Sequence, residues 1–220
     1  MSARDEIFAS IRRSLHVNGA EAPRRAAVAD RLARTPSGII PERAKGGLAT
    51  FKSEALRSAA TLTEIGSAAE IPAEIARFLR EHNLPATLKI GADPRLDGLP
   101  WAETALEVSR GASDGHDLNA ASAAFAGIAE TGTLALVSGR DNPTTLNFLP
   151  DNHIIVVFAQ DVVGNMESAF AKLRARYGPG QAPRTLNLVT GPSRSGDIEQ
   201  TLLFGAHGPR KLHIVLVSGT

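Results

Sequence analysis

Short apolar runs that alternate with helical patterns constrain this chain more than any other feature. His153–Phe158, with five consecutive apolar residues after its histidine, is of strand length, and Leu212–Ser218 is a last largely apolar strand. Such runs read as strands buried on both faces, which is the pattern of a parallel sheet. Thr61–Ile65, Thr87–Ile90, Leu106–Val108, Ala121–Ala129 and Thr185–Thr190 add further strand-like segments. Helical patterns lie between them. They cover Leu48–Ala59, a segment from the capping Ser67 past Pro72 to His82, Val162–Tyr177 and Asp197–Phe204. Strands separated by helices in this way predict an α/β fold, a mostly parallel open sheet with helices on both faces. Thr131-Gly132 marks a tight turn, with Leu134–Val137 returning as a hairpin partner, so one antiparallel element is expected inside that plan.

Residues 1–45 read differently and are expected to form a helical arm and linker, with the α/β domain over 46–220. The arm carries nine basic and five acidic side chains. Ser2 and Asp5 have the spacing of a capping box, and Ile7, Ile11 and Leu15, with Phe8 beside them, form one apolar stripe. A second short helix is expected over Arg24–Leu32, before the Pro- and Gly-bearing linker 35–41. The arm has too little apolar surface to fold alone, and no aromatic residues interleave with its arginines as a nucleic-acid surface would require. The whole chain has a net charge of +1, which also gives no reason to expect nucleic acid. No apolar run reaches the roughly 18 residues of a membrane span. The charged start is unlike a signal peptide, and the expected location is cytoplasmic. Cysteine is absent, so thiolate zinc sites, self-ligated iron–sulfur clusters and cysteine nucleophiles are ruled out.

Most catalytic signatures fail. Gly191 and Gly196 have the spacing of a phosphate-binding loop, but Asp197 stands where the lysine belongs. The same segment nearly forms a nucleophile elbow at Ser193, yet Ser195 replaces the second glycine. Asp114-Gly-His116-Asp117 has metal-binding residue types without a matching ligand set, and reads as a solvated turn. Two segments remain. Glu130-Thr131-Gly132-Thr133 places a carboxylate at a strand end, followed by hydroxyls and a flexible glycine, a layout for acid–base work or anion gripping. The alternative is a simple Thr-Gly turn with a solvated Glu130. Gly191, Ser193, Arg194 and Ser195 join a strand to an expected helix, and such a loop at the carboxyl edge of an open sheet is a usual ligand site. The alternative there is that Ser195 caps the helix. His207 follows in Gly205-Ala-His-Gly-Pro209, as a further candidate or as a plain helix-end histidine.

In order, Glu130-Thr-Gly-Thr133, Leu149-Pro150, His153–Val157, Gly191-Pro-Ser-Arg194, Asp197-Ile-Glu199, His207-Gly-Pro209 and Leu212-His213 resemble the LUD domain family from about Leu48 to Thr220. The resemblance implies a fold related to the ribose-phosphate isomerase, glucosamine-phosphate deaminase and CoA-transferase superfamily. It also implies a part in oxidising L-lactate to pyruvate beside iron–sulfur partner subunits. No cofactor is then expected on this chain, and the clusters belong to the partners. On that reading Ser193, Arg194 and Ser195 hold a small anionic ligand, with Glu130 and Thr131 opposite. By fold analogy Glu130 takes the place of a catalytic carboxylate. Two other readings stand beside this one: an independent isomerase or acyl/CoA-transferase, and a regulatory module recruited through the basic arm.

Overall fold

The structure, a computed structural model, describes residues 2–34, 38–40, 42–178, 180–196 and 202–219. It divides into two compact units, Met1–Ile39 and Ile40–Thr220. In the first, α1 (Ala3–Ser14) starts with the expected capping box: Asp5 N–H donates to Ser2 Oγ, and Ser2 N–H donates back to the Asp5 carboxylate. The apolar stripe of α1 is exposed, and neither α1 nor α2 (Ala22–Arg34) buries any residue. Linker residues 35–37 and 41 lie outside the described residues.

The second unit contains α3 (Leu48–Arg57), β1 (Thr61–Ile65), α4 (Ile71–Glu81), β2 (Thr87–Ile90), β3 (Glu107–Arg110), β4 (Asn119–Ala123), β5 (Ala126–Ile128) and β6 (Thr133–Val137). There follow α5 (Thr144–Phe148), β7 (Asn152–Phe158), β8 (Val162–Val163), α6 (Met166–Tyr177), β9 (Leu186–Val189), β10 (Arg194–Gly196), β11 (Leu202–Phe204) and β12 (Lys211–Val217). Six strands form a fully parallel sheet in the order β1-β12-β7-β4-β2-β3. Its centre is made by the two long apolar runs, β7 and β12, whose alternate residues face opposite layers. Ile154, Val156, Val215 and Val217 pack with Ile71, Ile75, Phe78 and Leu79 of α4. Ile155, Val157, Ile214 and Leu216 pack on the other side with Phe51 and Ala55 of α3 and with Leu134 and Leu136 of β6. A smaller sheet, β8-β5-β6-β9, thus shares that second face with α3, and α6 lies against it through Ala169 and Leu173.

Three segments depart from the sequence reading. The expected strand Ala121–Ala129 is two strands in two sheets, β4 and β5, split at Ala124-Phe125, where Ala124 N–H bonds to Val156 O and Phe125 N–H to Ala135 O. The helix expected from Val162 begins at Met166, because Asn165 caps it through Ser168 N–H. The helix expected over Asp197–Phe204 is overturned where it is described. Leu202–Phe204 is a strand paired antiparallel with Arg194–Gly196, while residues 197–201 lie outside the described residues. Backbone pairing across this hairpin replaces the helix-start N–H groups expected to grip an anion. Ser195, expected as a helix cap, pairs with Leu203 instead. Further upstream, Ser67 makes no cap bond, and a single 3-10 turn, Ala68–Glu70, precedes α4. No described helix is long and apolar enough to cross a membrane.

Candidate functional site

The sequence reading puts the loop after β9 at the carboxyl edge of the parallel sheet. It lies instead beside the amino ends of β7 and β12, because β9 belongs to the smaller sheet and runs antiparallel to β6. There it lines a cavity of about 380 Å³ with Asn147 and Phe148 of α5, His153 of β7, Leu212 of β12 and His207. Local geometry explains the loop. Gly191 has φ +72°, and a Cβ there would lie 1.9 Å from the Ser58 carbonyl oxygen at the end of α3, so only glycine fits. Ser193 then closes the base of the hairpin. Its N–H donates to Pro209 O at 2.8 Å, its carbonyl accepts Gly205 N–H at 2.9 Å, and its Oγ accepts His207 N–H at 3.3 Å. The hydroxyl accepts in that last bond, so its O–H can donate to a ligand. Arg194 and His207 are exposed on the cavity wall.

Gly191, Ser193, Arg194 and His207 are therefore brought together. Ser195 lies one residue along β10, outside the lining, and Glu130, Thr131, Gly132 and Thr133 do not line the cavity either. Glu130 Oε1 accepts Met166 N–H at 3.0 Å, at the start of α6. Gly132, with φ +62°, presses on α3 as Gly191 does: a Cβ there would lie 2.3 Å from Ala55 N. The two motifs meet through hydroxyls. Thr131 and Thr133 are 2.7 Å apart at Oγ1, and Thr133 Oγ1 is 2.6 Å from Thr190 Oγ1, a residue that does line the cavity.

Sequence reasoning missed the buried side of this cavity. His153 and Asn147 are each 1% exposed. His153 Nε2 is 3.0 Å from Ser122 Oγ, which is 3.4 Å from Asn147 Oδ1. Burial pushes the His153 imidazole down to about 3, so it is neutral throughout the physiological range. The signal available was a histidine directly before the run Ile154-Ile-Val-Val-Phe158.

The carboxyl edge of the sheet has a cavity of its own, about 330 Å³, lined in part by Asp93, Arg95, Asn142, Arg176 and Tyr177. Its Arg95 is committed to structure: the guanidinium bonds both oxygens of Asp93 and the carbonyls of Ala123 and Ala124. Among the described residues, no group of three or more His, Asp or Glu side chains is placed to hold a metal ion.

Fold and cavity together define an open parallel α/β domain with a ligand-sized opening at the amino edge of its sheet. A DUF162 family protein from Deinococcus radiodurans shares the fold, with TM-score 0.56 and 24% identity over 77% of this chain and 94% of that one. Residues 120–217 match the LUD domain model. Proteins named lactate utilization protein C are similar to it. That of Geobacillus thermodenitrificans is 35% identical over 56% of this chain and 54% of its own length. That of Geobacillus kaustophilus is 32% identical over 63% and 58%, and that of Bacillus subtilis 38% over 41% and 38%. The chain spans about half the length of the curated relatives it matches.

Proposed function

We propose that this chain serves L-lactate utilisation in the cytoplasm as a non-redox subunit, holding a small anionic ligand while iron–sulfur partner subunits carry the electrons. The observation that carries the reading is the amino-edge cavity, where Ser193, Arg194 and His207 come together on one wall. A guanidinium beside a hydroxyl donor suits a carboxylate. The name of the relatives supports the lactate context, and a chain without cysteine leaves cluster ligation to its partners. An independent isomerase or acyl transferase using Glu130 as base receives less support, since that carboxylate caps α6 away from the cavity lining.

The test is purification of the tagged chain from lactate-grown cells, with partner identification and a lactate-oxidation assay. Cysteine-rich iron–sulfur partners and lactate-dependent electron transfer are expected in the eluate. Arg194→Ala should lower that activity at least about tenfold, as loss of a charge-assisted carboxylate bond implies, with thermal unfolding unchanged. Full activity in the variant would remove Arg194 from the site, and recovery of the chain alone without activity would refute the subunit reading.

A further inference from the structure

The buried wall of the amino-edge cavity holds a polar network that the anion reading does not use. Ser122, Asn147 and His153 are at most 3% exposed, and the serine hydroxyl lies between the other two side chains. This follows from the pleat: Ser122 of β4 and His153 of β7 lie on the same sheet face, diagonal to each other, with His153 opposite Ala120. Outside the network, His153 Nδ1 and Asn147 Nδ2 have no hydrogen-bond partner among the described residues. Both residues line the cavity.

The serine hydroxyl owns one hydrogen, and that count fixes what the other two side chains have left to offer. If Ser122 donates to Asn147 Oδ1, His153 donates through Nε2, leaving Nδ1 as a bare acceptor and the amide N–H as a free donor. If Ser122 donates to His153 Nε2, the proton sits on Nδ1, and the amide turns over so that its oxygen is the atom left without a partner. Either way one donor and one acceptor, carried by two residues that line the cavity, are left without a partner among the described residues. A carboxylate or a ketone only accepts, and leaves half of that pair buried and unmet. An alcohol both donates and accepts.

We propose that His153 and Asn147, set by Ser122, read the hydroxyl of a small hydroxy-carboxylate and discriminate it from its oxo and deoxy analogues. This rests on the reading of the cavity as an anion site, with the carboxylate on the Ser193–Arg194 side. The imidazole is neutral, which suits an alcohol rather than a second carboxylate. Phe148, Leu188, Val189 and Leu212 supply apolar surface for a short alkyl substituent.

The experiment is titration of the purified full chain with L-lactate, pyruvate and propionate, followed by calorimetry and by the ¹⁵N resonances of the His153 imidazole. L-lactate is expected to bind at least about tenfold tighter than either analogue, because each analogue strands a buried polar group. Asn147→Leu should bring the three affinities together while retaining carboxylate binding, and Ser122→Ala serves as a second variant should the first fail to fold. Equal affinities in the unaltered chain would overturn the hydroxyl reading and leave the anion cavity standing. Binding of none of the three acids would remove the anion reading. Glycerol, which is uncharged, then probes the pair alone: a moved His153 resonance supports it, and an unmoved one overturns it.

Discussion

His153 shows how one residue is held against its own chemistry. It stands at the head of an apolar run and is buried by the strands on either side, so folding removes the water that would solvate an imidazolium. Unfolded, the side chain takes a proton near pH 6.5; folded, it does so only near pH 3. Between those values the unfolded chain binds the extra proton. Its contribution to stability is therefore intact above about pH 6.5 and is lost as pH falls toward 3, by about 1.4 kcal/mol per unit. Urea unfolding at pH 7 and pH 5 should show a clear loss of stability at the lower pH, reduced in His153→Gln. An unchanged pH difference in that variant would place the acid sensitivity elsewhere. Glu74 titrates in a lower window. Burial alone would raise its pKa, but hydrogen bonds from His213 and Arg77 outweigh this and hold it at about 2.

Elements explain why the two motifs chosen from the sequence differ in what they do. Gly132 and Gly191 both sit in left-handed backbone against the carboxyl end of α3, and the Thr133–Thr190 hydroxyl contact ties their loops together. The Glu130–Thr133 segment thus fixes how β5, β6, α3 and α6 meet, while the segment after Gly191 reaches the cavity. Glu130 acts on α6 as a helix-start acceptor, so Glu130→Ala should lower stability by about 0.5–2 kcal/mol, and Glu130→Gln, which retains an acceptor oxygen, should recover most of it. Thermal unfolding of both variants checks this, and a Gln variant no better than Ala would rule out capping. The strands Thr61–Ile65 and Thr87–Ile90 are plain from their patterns because turns and helix starts bound them. The β4–β5 split is hidden, since residues 120–129 are nearly all small and apolar, with no breaker at the point of division. Ser193, Arg194 and His207 are readable because loops carry exposed chemistry. Asn147 and His153 are not, because the sequence around them gives no sign of whether a polar side chain faces a neighbour or a cavity.

At the scale of the molecule the parallel sheet has two edges with separate cavities. The amino edge carries Gly191, Ser193, Arg194 and His207, and the carboxyl edge is built around the committed Asp93–Arg95 pair. The order β1-β12-β7-β4-β2-β3 places the latest sheet strand in the sequence between the first and the fifth. Deleting residues 211–217 should therefore abolish cooperative unfolding rather than trim an edge, because β1 loses the strand it pairs with and Leu212 leaves the cavity wall. Circular dichroism and a thermal melt of that deletion give the check, and a sharp native-like melt would contradict it. The same placement sets an order of events. Thr61 pairs with His213, so β1 must wait through 152 residues of synthesis before its neighbour exists. A nascent chain on the ribosome holds β1 without its sheet neighbour, and α3 without its contacts to Ile214 and Leu216, until the β12 segment emerges and the sheet closes late.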